Sequence, residues 1–270
     1  MNRNKANIVL IAVFVVGLAL LLYPSVSDYW NSFHQSRAIM NYAEHVAALD
    51  TAEYEKIWAE AQAYNQTLLG KSNRYTLTEA EQAVYESKLA VSSDEVMGYI
   101  NIPSIKCTLP IYHGIEEGTL QSGVGHIPGT SLPVGGPSTH CVLSGHRGLP
   151  SAKLFTNLDQ LVEGDLFMLQ VLDETLTYEV DQILIVEPEQ MSALAIEEGQ
   201  DYCTLVTCTP YGINTHRLLV RGHRVENLSD GDIRVTADAL QMDPVLVAPL
   251  VAAPILLLLL IWLLVHYRKK

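Results

Sequence analysis

Residues 202–224, which read YCTLVTCTPYGINTHRLLVRGHR, hold two short apolar runs on either side of a turn-rich break. The runs are rich in β-branched residues and the break contains Pro210, Gly212 and Asn214, so the stretch predicts two strands joined by a short connection. Cys208 ends the first run, where a rigid strand would hold it within reach of a substrate. A buried structural cysteine is the competing interpretation.

A second segment, CVLSGHRGLP at residues 141–150, repeats this pattern, with a short apolar strand followed by His146 in a glycine-flanked loop. A cysteine becomes a useful nucleophile when a neighbouring imidazole stabilises its thiolate or accepts its proton. An arginine such as Arg217, on the run after Cys208, can then stabilise the oxyanion that forms when a carbonyl is attacked. These residue types predict acyl transfer, provided that the fold brings them together.

The segment TLVTCTPYGINTHRLLVRGHR resembles the cysteine and arginine signature of sortases, in which T-L-x-T-C is followed by arginine after a short loop. SGHRGLP similarly resembles the histidine loop of that family. The resemblance covers residues 98–224 and, within sortases, is greatest with class C, the pilus-polymerising group. Its further segments are GYINIPSIKCTLPIYHG at 98–114, GVGHIPGTSLPVGGPSTHCVLSGHRGLP at 123–150 and AKLFTNLDQLVEGD at 152–165.

The resemblance implies a mainly β protein, with the closed β-barrel of sortases at residues 98–228 and short accompanying helices. It also implies transpeptidation, in which Cys208 attacks the Thr–Gly carbonyl of an LPxTG-like sorting signal and forms a thioacyl enzyme. His146 would act as general acid and base, and Arg217 would bind the substrate and the developing oxyanion. In class C the incoming amine belongs to a pilin lysine, and no cofactor is implied.

Three other functions use the same sequence features. A housekeeping sortase would attach proteins to peptidoglycan with the same three residues. A cysteine protease would release the acyl group to water instead of ligating it to an amine. A catalytically inactive membrane scaffold of a pilus machine would contain Cys208 as a thiol that forms no thioacyl product.

Two apolar blocks, at residues 6–23 and 245–265, are each long enough to cross a bilayer. For the first block we expect an uncleaved anchor, since it is long for a signal peptide and no clear small-residue cleavage site follows. A tail removed during sorting is the alternative for the second, which we expect to be retained. Arg3 and Lys5 precede the first block and residues 268–270 are basic, so the positive-inside rule predicts both termini in the cytoplasm and the catalytic domain outside.

Between the first anchor and the barrel, residues 25–97 are expected to form a helical region. Apolar residues recur at three- and four-residue spacing over 30–69, which predicts helices that pack against the catalytic domain, with Thr51 as the cap of the second. A further short helix should begin at Thr78, which can form a capping box with Glu81.

Class C sortases usually carry a lid in this region, held over the active site by an Asp-Pro-aromatic motif. That motif is not found in residues 66–96, where Arg74 and Tyr75 stand near the expected place without a proline. The chain's Asp-Pro pair, Asp243 and Pro244, adjoins the second apolar block instead. A lid that is absent, shorter or held differently therefore remains open.

From residue 98 onward, short β-rich runs alternate with glycine and proline turns, which predicts an all-β barrel or sandwich. Strands are predicted at 99–105, 108–112, 140–144, 166–172, 176–186, 202–208 and 216–225, and short helices at 151–161 and 188–198. The predicted organisation is then a cytoplasmic tip and membrane helix (1–24), a helical region with a possible lid (25–97), a catalytic barrel (98–228), a linker (229–244), and a second membrane helix with a basic tail (245–270).

The charge and the metal-binding residue types exclude several classes of partner. The net charge of −13 shows no basic stripe, which argues against nucleic-acid binding. The nine histidines stand outside any HExxH motif or paired CxxC motif, so we expect no metal site.

The four cysteines are expected to be mainly unpaired. Cys203 and Cys208 lie an odd number of residues apart on one predicted strand, so their side chains should point to opposite faces. A disulfide between Cys107 and Cys141 stays possible, although core packing is the expected role of both.

Overall fold

A computed structural model describes residues 3–71, 73–91, 95–227, 252–262 and 265. The chain divides into two compact units. The first comprises Met1–Asn31, Pro150–Ala152 and Ala237–Lys270, and the second comprises Ser32–Leu149 and Lys153–Thr236. All three candidate catalytic residues belong to the second unit.

The described helices are α1 to α5, and α1 is by far the longest. Within α1, Asn7–Ala47 has a mean hydropathy of 2.6 over its most apolar window, and it is the one described helix long and apolar enough to cross a membrane. The helix bounds are Arg3–Ala47 (α1), Thr51–Thr67 (α2), Glu79–Glu86 (α3), Glu117–Ser122 (α4) and Ala252–Trp262 (α5).

The second membrane helix stays a prediction. Of the predicted span at 245–265, the structure describes the short apolar helix α5 and residue 265, and the remaining positions lie outside the described residues. The predicted linker at 229–244 lies outside them entirely.

Caps fix where α2 and α3 begin. The cap of α2 is Asp50 and not Thr51 as predicted, since the Asp50 carboxylate accepts a hydrogen bond of 2.8 Å from the Glu53 amide. A carboxylate there also favours the positive end of the helix dipole. The capping box predicted for α3 is confirmed, because Thr78 and Glu81 each bond the other's backbone amide.

Eight strands in the described part of the chain close into a barrel in the order β1-β2-β3-β4-β7-β8-β6-β5, which confirms the closed barrel of the predicted fold class. The β2–β3 and β4–β7 pairs are parallel and the other described pairs are antiparallel. The strands are Val96–Ile102 (β1), Cys107–His113 (β2), Val124–His126 (β3), Thr139–Ser144 (β4), Leu166–Val171 (β5), Glu174–Val186 (β6), Asp201–Thr209 (β7) and His216–Val225 (β8).

The short helices predicted at 151–161 and 188–198 are wrong in length. Each is reduced to one 3-10 turn, Leu158–Gln160 and Ser192–Leu194. Each turn buries one leucine, Leu158 or Leu194, so local packing and not helix propensity determines the backbone there.

The barrel interior is filled by aromatic and branched side chains, with a glycine where two rings need room. Phe167 on β5 stacks on Tyr178 of β6, with ring centroids 5.5 Å apart. A Cβ at Gly222 on β8 would lie 2.7 Å from the Phe167 ring, which is closer than packed atoms approach. Any side chain at Gly222 would therefore displace this aromatic pair.

The part of α1 within the second unit is joined to the barrel by Tyr42. Its side chain is 1% exposed, and its hydroxyl donates to the Met97 carbonyl at 3.1 Å and accepts from the Leu172 amide at 2.6 Å. One hydroxyl thus bonds a backbone carbonyl within β1 and a backbone amide just after β5. The predicted packing of the helical region against the barrel is confirmed at this residue.

We expect Tyr42→Phe to lower the free energy of unfolding by about 1–3 kcal/mol, because a buried amide and a buried carbonyl each lose their partner. The measurement is the thermal unfolding midpoint followed by circular dichroism. Tyr54→Phe is the matched control, since the Tyr54 hydroxyl makes one exposed contact of 3.4 Å with Glu174. Equal midpoints for both variants would show that the Tyr42 hydroxyl contributes nothing.

Candidate active site

Cys208 and Arg217 are brought together by the register of β7 and β8. These antiparallel strands pair Cys208 directly with Arg217, one step before the end of the ladder at Thr209 and His216. The connection is closed by hydrogen bonds from the Ile213 and Asn214 amides to the Pro210 carbonyl. Directly opposed residues of an antiparallel pair have side chains about 4.5–5.5 Å apart at Cβ, so the thiol and the guanidinium stem are neighbours.

His146 approaches Cys208 from the other side, along the parallel pair of β4 and β7. The last strand pair is Ser144 with Val206, and the ladder continues through a 3.0 Å bond from the Gly145 amide to the Val206 carbonyl. The Thr207 hydroxyl then donates to the Gly145 carbonyl at 2.8 Å. The residues that follow on the two segments are His146 and Cys208, so the register of the ladder directs both towards the same end of the barrel.

The His146 imidazole is held with one nitrogen unsatisfied. Its side chain is 25% exposed, yet the Nε2 atom is buried and has no hydrogen-bond partner among the described residues. Glu117 of α4 places a carboxylate oxygen 3.6 Å from Nε2, but that side chain is largely exposed, so the ion pair is weak. A buried, unsatisfied nitrogen is available for proton transfer with a group that enters the site.

Close packing requires glycine on both sides of His146. A Cβ at Gly145 would lie 2.7 Å from the Phe155 ring. Gly148 has φ +77°, and a Cβ there would lie 2.9 Å from the Tyr211 ring. The loop that carries His146 therefore packs closely against the Phe155 ring on one side and the Tyr211 ring on the other, which limits how far the imidazole can move.

Arg147 ties the histidine loop to the cysteine loop. Its guanidinium donates to the Thr209 hydroxyl at 3.2 Å, forms an ion pair with Asp159, and lies 5.9 Å from the centroid of the Tyr211 ring. The guanidinium therefore contacts the residue after Cys208 and the turn at Leu158–Gln160 simultaneously. Sequence analysis did not select Arg147, although it directly follows His146.

The Arg217 guanidinium is oriented by neutral partners. It donates to the Asn214 carbonyl at 3.3 Å, in the β7–β8 connection, and to the His216 carbonyl at 3.1 Å, at the start of β8. Carbonyl oxygens fix the direction of the group without cancelling its positive charge. Such a charge can stabilise an oxyanion that forms at Cys208.

An apolar cluster lies along the same face of the sheet as Cys208 and Arg217. Side chains two residues apart on a strand share a face, so Val206 lies on the face of Cys208 and Leu219 on that of Arg217. These two residues form a buried cluster with Val142 and Leu194. Five partly buried residues pack against it, namely Ile127, Leu184, Val186, Met191 and Ala193. We call this set the apolar cluster.

The closed barrel agrees with comparisons against known proteins. A family model described as the Sortase domain matches residues 100–225. The crystal structure of sortase C1 from Streptococcus agalactiae is 51% identical and superposes with a TM-score of 0.68, covering 71% of this chain and all of that one. The chain belongs to the sortase family.

Two further relatives are consistent with a class C sortase. Sortase C of Streptococcus pneumoniae is 45% identical with a TM-score of 0.63, covering 72% of this chain and 98% of that one. Sortase A of Bacillus anthracis is 27% identical over 226 residues, which is 83% of this chain and 97% of that protein. This sortase is therefore a cysteine transpeptidase that lies close to the class C group.

The segment where class C sortases carry a lid motif is docked on the sortase barrel by Arg74. That side chain is 8% exposed and donates to the Leu194 carbonyl at 2.6 Å and to the Tyr75 hydroxyl at 2.8 Å. The backbone also fits closely, since a Cβ at Gly129 would lie 1.9 Å from the Arg74 carbonyl oxygen. Leu194 belongs to the apolar cluster, so this segment is held next to the cluster without an Asp-Pro-aromatic motif.

The described histidines form no metal cluster. No group of three or more His, Cys, Asp or Glu side chains within the described residues is arranged to hold an ion. His140, considered in the sequence as a possible ligand, donates from Nδ1 to the Ala195 carbonyl and contacts the Thr204 hydroxyl, each at 2.7 Å. Burial lowers the pKa of His140 to about 4, so the ring is neutral and structural.

All four cysteines are described and all are free thiols. Cys208 is half-buried and the other three are buried. Cys107 lies 3.7 Å from the Leu154 carbonyl, and burial raises its pKa to about 12, which makes it an inert core thiol. Cys141 does not pair with Cys107, because its in-register neighbour is Cys203.

Proposed function

We propose that this sortase cleaves an LPxTG-like sorting signal between threonine and glycine and joins the acyl product to a lysine amine of a pilin. The observation that supports the proposal is the strand register, which pairs Cys208 with Arg217 and brings the end of β4, two residues before His146, alongside β7 just before Cys208. That arrangement supplies a nucleophile, a proton carrier and a cation at one end of the barrel.

In the first half-reaction, the Cys208 thiolate attacks the threonine carbonyl carbon. The carbonyl oxygen becomes an oxyanion, and the Arg217 guanidinium stabilises it by charge-assisted hydrogen bonds. The tetrahedral intermediate then expels the glycine amine, which takes a proton from His146. A thioester between Cys208 and the threonine acyl group remains.

In the second half-reaction, a lysine amine attacks the thioester carbon. The neutral His146 imidazole accepts the proton of the attacking amine, and the Cys208 thiolate leaves. Each residue is thereby returned to its starting state, and an isopeptide bond has replaced the Thr–Gly bond.

The partly buried members of the apolar cluster suit the leucine and proline of such a signal. Val206 precedes Cys208 by two residues on the same face, so a peptide whose threonine carbonyl reaches the thiol would lay its preceding residues towards this cluster, where Ile127, Leu184 and Val186 keep exposed area. Burying a leucine there stabilises binding by about 1.5–3 kcal/mol. We therefore expect apolar contacts to contribute most to recognition of the signal.

The choice of a pilin acceptor rests on class C similarity. The Streptococcus pneumoniae sortase C structure, 45% identical, is described in terms of pilin substrate specificity. An anchor in a bilayer, provided by the apolar part of α1, would hold the enzyme where such subunits emerge. We propose an extracytoplasmic barrel with both termini in the cytoplasm, on the basis of the basic flanks at Arg3 and Lys5 and at residues 268–270.

The test uses the full-length sortase in detergent micelles, an LPxTG peptide and a pilin. Intact-mass spectrometry should show an acyl adduct on the enzyme that resolves into a pilin–peptide conjugate. A pilin with its acceptor lysine changed to arginine is the matched control and should leave the adduct in place. An adduct that only hydrolyses, or that transfers only to a peptidoglycan amine, would overturn the pilin assignment while retaining the transpeptidase.

Arg217 is expected to be the residue most sensitive to a charge-conserving change. We predict that Arg217→Lys lowers the second-order rate constant of thioacyl formation about 10²-fold. Lysine lacks the planar guanidinium group, which can donate to the Asn214 and His216 carbonyls and to the substrate oxyanion at the same time. Rapid-quench mass spectrometry gives the rate. The control is Arg221→Lys on the same strand, which loses a bidentate contact with Asp181 and should affect stability but not thioacylation. Equal rate losses in both variants would rule out a specific role for Arg217.

A further inference from the structure

Two cysteines face each other inside the barrel, away from the candidate active site. Cys141 on β4 is in register with Cys203 on the parallel strand β7, and the two are 2% and 0% exposed. Neighbouring strands lie about 4.8 Å apart, and residues in register point to the same face. That spacing falls within the Cα separations, about 4.4–6.8 Å, at which disulfides form.

The other two thiols are excluded from this pair by position. Cys208 lies on the opposite face of β7 from Cys203, because five residues separate them. Cys107 lies on β2, where its sulfur contacts the Leu154 carbonyl. Cys141 and Cys203 therefore have each other as their sulfur neighbour.

The surroundings of the pair favour a shared proton. Burial acts to raise the pKa of Cys141, but hydrogen bonds from Cys203 and His126 act in the opposite direction and lower it below that of an ordinary thiol. The pKa of Cys203 is raised, first by burial and then by its hydrogen bond to Cys141. Cys141 is thus the nucleophilic member and Cys203 the proton donor.

His126 is held in place for this contact. Its Nε2 lies 2.8 Å from the Ser131 carbonyl, which can only accept, so Nε2 carries the hydrogen. The Tyr85 hydroxyl lies 2.9 Å from Nδ1, bonds the His126 carbonyl at 3.1 Å and accepts from the Gly114 amide. These contacts fix the imidazole in the barrel, and it takes no part in the proposed transpeptidation.

We propose that Cys141 and Cys203 form a second thiol site, a redox-active pair that a disulfide-exchange oxidant closes into a cross-strand disulfide inside the barrel. The co-reactant is a low-molecular-weight or protein disulfide, R–S–S–R. The Cys141 thiolate attacks one of its sulfurs, breaking the S–S bond and releasing one thiolate. Cys203, after losing its proton to that thiolate, attacks the Cys141 sulfur and expels the second. Two cysteine thiols are oxidised and one external disulfide is reduced to two thiols.

The bond would join the two strands that carry the candidate catalytic residues. Cys141 lies five residues before His146 on one chain segment, and Cys203 lies five residues before Cys208 on the other. β4 and β7 are distant in sequence, so a covalent link between them removes conformational freedom from the unfolded chain and also fixes their register. The oxidised form should resist unfolding while the thiol of Cys208 stays free.

The experiment uses full-length Cys208→Ala protein in detergent micelles, equilibrated over a series of oxidised and reduced glutathione ratios just below its unfolding midpoint. Samples are then unfolded in an alkylating agent, weighed intact and digested without reduction. We expect two of the three remaining cysteines to escape alkylation at oxidising ratios, and a cross-linked peptide that contains Cys141 and Cys203. The thermal midpoint should rise by about 5 °C or more on oxidation.

A second sample guards against an effect of the substitution itself. The unaltered chain, with Cys208 first alkylated in the folded state by iodoacetamide, should give the same cross-linked peptide, and Cys203→Ser should give none. Three alkylated cysteines at every ratio would overturn the proposal. A cross-link through Cys107, or an oxidised form with an unchanged midpoint, would overturn it as well. None of these outcomes depends on transpeptidase activity.

Discussion

Replacing Cys208 by alanine is expected to abolish the acyl adduct on the enzyme, with a loss of at least about 10³-fold in the rate of substrate cleavage. The reason is positional as well as chemical. Cys208 is the half-buried cysteine in a chain whose other three thiols are buried, and its strand register pairs it with Arg217 and directs it towards the same end of the barrel as His146. No neighbouring thiol on that face can take over the attack.

The measurement is intact-mass spectrometry of full-length enzyme incubated with an LPxTG peptide, with release of the glycine-bearing fragment followed in parallel. Cys107→Ala is the matched control, because that thiol is buried on β2 and its pKa is raised by burial. The control should form the adduct at the rate of the unaltered enzyme. An undiminished adduct in Cys208→Ala would assign the nucleophile to another residue.

The second large effect is expected from His146→Gln. Glutamine keeps the size and polarity of the side chain but cannot exchange a proton, so both half-reactions should slow by about 10²–10⁴-fold. Its buried Nε2 atom has no hydrogen-bond partner among the described residues and only a weak ion pair with the exposed Glu117, so the substitution removes little that stabilises the fold. The unfolding midpoint should therefore stay close to that of the unaltered protein while the rates fall.

Separate rates distinguish proton transfer from a loss of binding. We expect single-turnover thioacylation to slow at saturating peptide, and an adduct supplied with excess amine to persist. His45→Gln provides the control, because His45 is exposed on α1 and its ring bonds the Asn41 carbonyl in its own helix. If thioacylation of His146→Gln recovered fully at high peptide concentration, His146 would be a binding residue and not the acid and base.

Much of the barrel could be predicted because its strands are marked by residue type. The strand expected at 216–225 matches β8 residue for residue, and the other six expected strands overlap observed ones. β3 was missed because Val124–His126 is too short to show an alternating pattern. It exists because it pairs with β2 and β4, a contact between distant segments that no local pattern reports.

The sequence predicted the three principal residues of the candidate site but not the neighbouring residues that contact them. Cys208, His146 and Arg217 stand in recognisable motifs, and their roles stay predictions that the variants above address. Glu117 and Arg147 were missed for different reasons. Glu117 lies on α4, a helix of six residues without a strong periodic pattern. Arg147 acts through contacts with Thr209 and Asp159, which become neighbours only in the folded chain.

The cap of α2 and the second membrane helix show two further limits. Asp50 and Thr51 are both good capping residues, and the backbone conformation of Asp50, φ −79° and ψ 163°, selects it as the non-helical position. For residues 245–265, hydropathy alone predicts a span, whereas the structure describes residues 252–262 and 265 of this region. The predicted topology therefore rests on the distribution of basic residues.

The parallel pairing of β4 with β7 has a consequence for how this sequence can change over generations. Because successive strand residues point to opposite faces, deleting one residue between Cys203 and Cys208 would turn the nucleophile toward the barrel interior. A library of single-residue insertions and deletions should therefore be depleted across β4 and β7, even at positions where most substitutions survive. The 210–215 connection, which closes on itself at Pro210, should tolerate them better. We therefore expect the lengths of β4 and β7 to be more strongly constrained than the identities of most of their residues.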